Sequence, residues 1–373
     1  MDLDSLLVTA RRLLAVPSTA DRPGDLREAL ELVLGLVTAP GAPEGLTVER
    51  FVSNGKPSAL VYPGSRRPRF RVILNAHLDV VPAPPHQFRP RLDGTRLYGR
   101  GAHDMKVSAL VEALVFRELV EALPYPIGLQ LVTDEEVGGL DGTAHQIDRG
   151  VSGDFVVIGE QSGLRVVTDS KGMVTANLRA SGRGAHSAYQ WLGDNALLKL
   201  HHSVGALLER YPVATEEAWR TTVNVARIET PNLARNQVPD EAQAWLDIRF
   251  PAGDPDLDGR TEEEVTAHLA AFCVPGVVPV VTHVAPPHHA DPRRPEVLGL
   301  QRAARDQGYD GGLLRKHGAA DCRFYYREGI DAVIFGIGGD GQHGPDEYAD
   351  ITTIEPYRRA LRAFLTGLAD GQK

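Results

Sequence analysis

Apolar residues recur at helical spacing from the start of the chain. Leu3, Leu6, Leu7, Ala10, Leu13 and Leu14 fall on one face, which predicts an amphipathic helix over 3–15. A strand is predicted near 58–62 and a second over 69–76. After a Pro-rich loop (82–90) comes "GRGAHDMK". It leads into a helix over 105–123 with Val107, Leu110, Val111, Leu114 and Leu119 on one side. Strands follow at 127–133 ("GLQLVT") and 155–159 ("FVVIG"). Strands alternating with helices predict an α/β layer with a largely parallel sheet and helices on both faces.

The period changes near residue 172. "MVTANLRA" alternates apolar with polar, and so does "AQAWLDIRF", with Ala242, Ala244, Leu246, Ile248 and Phe250 on one side. Strands fit 222–229 and 277–284, and helices fit 195–210 and 261–272. The order β-α-β-β-α-β is the ferredoxin-like arrangement, with one sheet face solvated. The expected organisation is therefore a discontinuous α/β domain, 1–171 and 286–373, interrupted by an α+β domain at 172–285. The tail returns to α/β character with a strand at 332–337 ("AVIFGI") and a helix at 354–369.

Composition narrows the classes. No run of about eighteen apolar residues occurs, so no membrane span is expected. The first residues lack a basic start and a long apolar stretch, so they are not a signal peptide. Only Cys273 and Cys322 are present, which fits a reducing cytoplasm and no disulfide framework. A net charge of -9 argues against a nucleic-acid partner, which would need a basic face.

Polar residues gather where apolar strands end. His77 and Asp79 close the strand over 69–76 and, two apart, share a face. Asp104 follows a glycine-bounded loop. Glu135 and Glu136 follow strand 127–133, Glu160 follows strand 155–159, and His343 lies beyond strand 332–337. In open α/β sheets, ligands bind beyond the carboxyl ends of the strands. So many carboxylates at one edge would repel each other without a cation. Histidine and carboxylate without cysteine suit Zn2+, with Co2+ or Mn2+ as alternatives. The number of ligands suggests two ions bridged by one carboxylate. The bland readings are a satisfied polar pair for His77 and Asp79, a helix N-cap for Asp104, and surface charge for Glu135 and Glu136.

The motifs "HLDVVP", "GRGAHDMK", "DEEVGG", "GE" after a strand, "AHSA" and "HGPDEY" occur in one order along nearly the whole chain. In this the chain resembles the dinuclear zinc amidohydrolases and metallopeptidases that include acetylornithine deacetylase, succinyl-diaminopimelate desuccinylase, aminoacylase and glutamate carboxypeptidase. The resemblance implies that His77, Asp104 and Glu160 hold one ion and that Asp104, Glu136 and His343 hold the other, with Asp104 bridging. It implies that Asp79 orients His77 through the second ring nitrogen, that Glu135 is the general base, and that the Asp104–Met105 peptide bond is cis. It gives the inserted domain the part of a lid and dimerisation domain. His186 would reach the partner subunit's site and steady the oxyanion, and Asn236 and Arg249 would bind a substrate carboxylate. Asp321 falls at a family position near the site.

Two positions depart from the usual pattern, Val107 where glycine is common and Gln161 where proline is common; neither removes a ligand. For Arg249 the bland reading is a cross-strand ion pair, and for Asn236 it is turn chemistry. For His186 it is an ordinary loop histidine. The activity implied is hydrolysis of an N-acyl amino acid by a cytoplasmic homodimer, with a carboxypeptidase or dipeptidase as the alternative. Metallophosphoesterases begin with Asp-x-His and carry Gly-Asn-His; this chain has His77-x-Asp79 and no such motif. A binding protein derived from the fold would have lost a ligand or Glu135, and none is lost.

Overall fold

A computed structural model of the chain describes residues 1–370. It divides into two compact units. The first comprises Met1–Thr168, His289–Arg315 and Ala320–Lys373; the second comprises Asp169–His288 and Lys316–Ala319. Against the expected insertion at 172–285, the second unit is longer by a few residues at each end. It also takes in four residues from far along the chain.

The first unit is built on a nine-stranded sheet. Its middle is parallel: Val72–His77 lies between Ile127–Val132 and Phe155–Ile158, and Asp331–Ile334 pairs beside the last of these. The first three of these strands are buried along their whole length, as their predominantly apolar sequences require. The antiparallel hairpin Leu46–Ser53 and Lys56–Pro63 flanks Ile127–Val132. Helices Leu3–Leu14, Pro23–Thr38, Val107–Leu119, Pro295–Arg305 and Ile354–Asp370 bury their apolar faces in the same core. No helix of the described residues is long and apolar enough to cross a membrane.

Several predicted bounds shift. The strand expected over 69–76 runs Val72–His77, which makes His77 its last residue, and the one expected over 332–337 is Asp331–Ile334. The helix expected over 105–123 runs Val107–Leu119. Asp104 lies before it with φ -124° and ψ 95°. The cap position of that helix falls on Lys106, with no side-chain cap hydrogen bond, so the N-cap reading of Asp104 fails on position.

The second unit is a four-stranded antiparallel sheet with its own core. Gly172–Ser181 and Glu241–Phe250 pair in register over their full lengths, and Thr222–Glu229 and Val277–Ala285 form the edges. Helices Ala196–Arg210 and Glu262–Ala270 contribute to the core against the alternating residues Val174, Ala176, Leu178, Ala244, Leu246 and Ile248. The element order is the β-α-β-β-α-β predicted from the pattern.

Candidate active site

The parallel strands deliver four of the predicted residues. His77 ends Val72–His77 and stands opposite Val132. Glu135 and Glu136 lie just past Val132, and Glu160 is two residues beyond Ile158. Asp104 and His343 come from irregular segments, and His343 has a left-handed φ of 60°. The Asp104–Met105 bond is cis, as expected.

Two groups of potential ligand atoms result. His77, Glu135 and Glu160 form one; Asp104, Glu136 and His343 form the other, and within each the atoms lie within 4.8 Å of one another. Asp104 also faces the first group. Its Oδ1 is 2.9 Å from His77 Nε2, and its Oδ2 is 3.3 Å from His343 Nε2. His343 Nε2 is in turn 3.1 Å from Glu136 Oε2. One carboxylate thus offers an oxygen to each group. The first group differs from the expected set in holding the Glu135 carboxylate close to His77 and Glu160.

Asp79 is fully buried. Its two oxygens accept the backbone N–H groups of Glu135 at 3.2 Å and Glu136 at 3.0 Å. His77 Nδ1 lies 3.1 Å from the Asp79 carbonyl and 3.5 Å from its Oδ1. The Asp79 carboxylate therefore grips the Glu135–Glu136 turn more closely than it does the His77 ring.

Electrostatics show what the cluster lacks. Burial disfavours a charged His77, yet hydrogen bonds and charge from Asp104 and Asp79 outweigh it, and the ring's pKa rises well above its ordinary value. Hydrogen bonds to Asp104 and Glu136 push His343 up to about 10. Although Glu135 as a residue is partly exposed, its carboxyl is enclosed. Burial and then the Glu160 charge raise its pKa well above the usual carboxylate range. Both histidine shifts have one cause, several carboxylates packed around two imidazoles. Such an excess of negative charge suits a donor set for cations. Two imidazoles and four carboxylates without sulfur fit such ions.

The sequence reading does not single out Gln342 and Asp134, and it places Asp321 near the site without a role. Gln342 donates from Nε2 to Asp104 Oδ2 at 2.6 Å. Asp134 is buried and pushed up to about 7 by burial and the Asp321 charge; it accepts the Asp141 N–H at 2.6 Å. Asp321, also raised by burial, accepts from Thr143 Oγ1 at 2.5 Å. Asp134 and Gln342 sit beside predicted residues, and that adjacency was their only signal.

The remaining predicted residues are in the second unit. His186 and Asn236 are brought together: His186 pairs with Gln237 in a short ribbon, and Ser187 N–H donates to Asn236 O at 2.9 Å. His186 is exposed and its Nδ1 accepts the Ala188 N–H at 3.1 Å. Arg249 stands apart from them. It is held by Asp247 on its own strand, Nε to Oδ1 at 2.6 Å and Nη2 to Oδ2 at 2.9 Å. The pairing is along the strand and not across it.

The sequence profile of peptidase family M20/M25/M40 matches residues 73–367, a span that contains every one of these groups. The chain belongs to this family. M20 proteins are dinuclear metallohydrolases of amide or peptide bonds, so this protein is a metal-dependent amide hydrolase. A protein from Aspergillus terreus named "probable carboxypeptidase" is 32% identical over 334 residues, 83% of this chain and 74% of that protein. Succinyl-diaminopimelate desuccinylase of Azoarcus sp. is 28% identical and spans 89% of this chain and 92% of its own. Among solved structures, a tripeptidase from Staphylococcus aureus superposes with a TM-score of 0.79 at 20% identity, covering 99% of both chains. That likeness supports the M20 fold.

Proposed function

We propose that the protein hydrolyses the amide bond of an N-acyl amino acid carrying a free carboxylate, using two Zn2+ ions. Co2+ or Mn2+ could replace them in the same donor set. The observation that carries this reading is Asp104, whose two oxygens face two separate ligand groups. Asp104 with His77 and Glu160 would hold one ion, and Asp104 with Glu136 and His343 would hold the other. When bound, the ions supply Lewis acidity and make water acidic near neutral pH.

The chain's own groups do the rest. Glu135, with its raised pKa, takes the proton of the attacking water and returns it to the leaving nitrogen. Asp79 holds the turn that carries Glu135 and Glu136, and it faces the second nitrogen of His77. The second unit serves as lid and dimer surface. From it, His186 steadies the oxyanion in the partner's site, a contribution of about 3 kcal/mol. Asn236 and Arg249 bind the substrate carboxylate, and Arg249 does so by exchanging its Asp247 pair. Cys273 and Cys322 form no disulfide, which suits a cytoplasmic enzyme.

A carboxypeptidase is the second reading, favoured by the Aspergillus terreus relative. The test is turnover of acetylated and succinylated amino acids and of dipeptides, with and without a chelator. Chelator-sensitive release of a free amino acid from an acyl substrate is expected. Turnover of dipeptides alone would decide for the peptidase.

A further inference from the structure

Two of the candidate ligands, Asp104 and His343, do not directly follow a strand of the parallel sheet. The His343 ring is 45% exposed, so its own packing gives it little hold. Its backbone is held from beneath. Arg100 is 3% exposed and Glu347 1% exposed, and the two form an ion pair. Glu347 Oε1 accepts the N–H groups of His103 at 3.0 Å and Asp104 at 3.2 Å. Arg100 Nη2 donates to the carbonyl oxygens of His343 at 2.9 Å and Gly344 at 3.2 Å. Gln87 reinforces the second arm, since its Nε2 donates to Gly344 O at 2.8 Å and Pro345 O at 2.7 Å.

We propose that Arg100 and Glu347 are a positioning pair: they fix the spacing between the loops that carry Asp104 and His343, and so set metal affinity at the Asp104–Glu136–His343 position. The inference rests on the two-ion reading above. The guanidinium suits the task because its planar fork serves the carboxylate from Nη1 and two carbonyls from Nη2, whereas an ammonium has its three donors on one nitrogen. Groups behind metal ligands typically change affinity by about 10–100-fold when altered.

The test is titration of metal-free protein with Co2+, followed by visible absorption and calorimetry. Wild type is expected to bind two equivalents. Arg100→Lys keeps a cation beside Glu347 and loses the carbonyl contacts. It should weaken one equivalent by about 10–100-fold and change its absorption bands, while the other binds as in wild type. Where Arg100→Lys does not fold, Gln87→Ala removes two hydrogen bonds to the same loop and a longer one from Arg100 Nη2 at 3.5 Å, keeps both members of the ion pair, and should weaken the same equivalent. Folded variants with two unaltered equivalents would overturn the proposal and leave the two-ion reading standing. So would equal weakening of both, which would make the pair a general support of the fold. Wild-type protein that binds no Co2+ would overturn the two-ion reading and the positioning pair with it.

Discussion

Replacing Asp79 by asparagine changes one oxygen of a buried carboxylate into an amide nitrogen and leaves the side chain's shape nearly intact. In the native protein both oxygens accept backbone N–H groups, from Glu135 and Glu136. An asparagine can accept only one of them, and its NH2 would face the other, donor against donor. A buried donor left without an acceptor costs about 1–3 kcal/mol, and hydrogen bonds to a charged group are worth about 1.5–3 kcal/mol. Asp79→Asn should therefore destabilise the first unit by about 2–4 kcal/mol, and Asp79→Ala, which orphans both N–H groups, by more. The turn it holds carries Glu136 of one ligand group and Glu135 of the other, while His77 loses a carboxylate neighbour. Metal affinity should fall at both positions, by about 10–100-fold. Urea unfolding of the metal-free protein, followed by metal titration, measures both. An Asp79→Asn protein with wild-type stability and wild-type affinity would refute the reasoning, because it would mean that the Glu135–Glu136 turn holds itself.

The other predictions concern individual side chains. Glu135→Gln should lower kcat by about 10²–10⁴ while two metal equivalents still bind; loss of an equivalent would assign Glu135 as a ligand instead. Glu112 is buried with Tyr357 donating to it at 3.2 Å, and burial raises its pKa well above 4.5. An acid with a raised folded pKa stabilises the fold below its unfolded pKa, and that stability is lost as pH rises toward the folded value. Glu112→Gln removes the loss, so the variant should gain on wild type between about pH 5 and pH 8. Equal differences in unfolding free energy at the two pH values would count against it. A Cβ at Gly336 would collide with the backbone oxygens of Gly159 and Glu160, which cannot move aside cheaply. Gly336→Ala should cost about 1–3 kcal/mol in urea unfolding and weaken metal binding through Glu160; unchanged metal affinity would show that Glu160 absorbs the shift.

Elements whose burial imposes a period were legible, and the others were not. Glu241–Phe250 buries every second residue, so its pattern carried strand type and face together. Pro23–Thr38 went unassigned even though Leu26, Leu30, Val33, Leu34 and Val37 share a buried face. Its opening Pro-Gly reads as a turn, and Arg22 supplies no side-chain cap to mark a helix start. The four-stranded sheet of Arg91–Asp93, Arg96–Tyr98, Gly339–Asp340 and Tyr348–Asp350 has strands too short to show alternation. Its pairing joins segments far apart in the chain, which no local pattern encodes.

The site shows the same division between local and distant information. His77, Glu136 and Glu160 were picked out as candidates because parallel strands end beside them, and an apolar run marks such an end. Asp104 was picked out by its glycine-rich surroundings, but its alternative role as a helix cap failed because the helix starts later, with Lys106 at its cap position; the Asp104 oxygens face His77, Gln342 and His343. Arg100 and Glu347 are both inside quoted motifs, yet neither suggests a function alone. They are 247 positions apart, and their meaning arises only when folding seals the pair from water. In water an arginine and a glutamate are worth little to each other. Once enclosed, each must satisfy its remaining polar atoms, and the groups available are the backbones of the two ligand-bearing loops. Burial thus turns an ordinary ion pair into a device that holds the two loops in place.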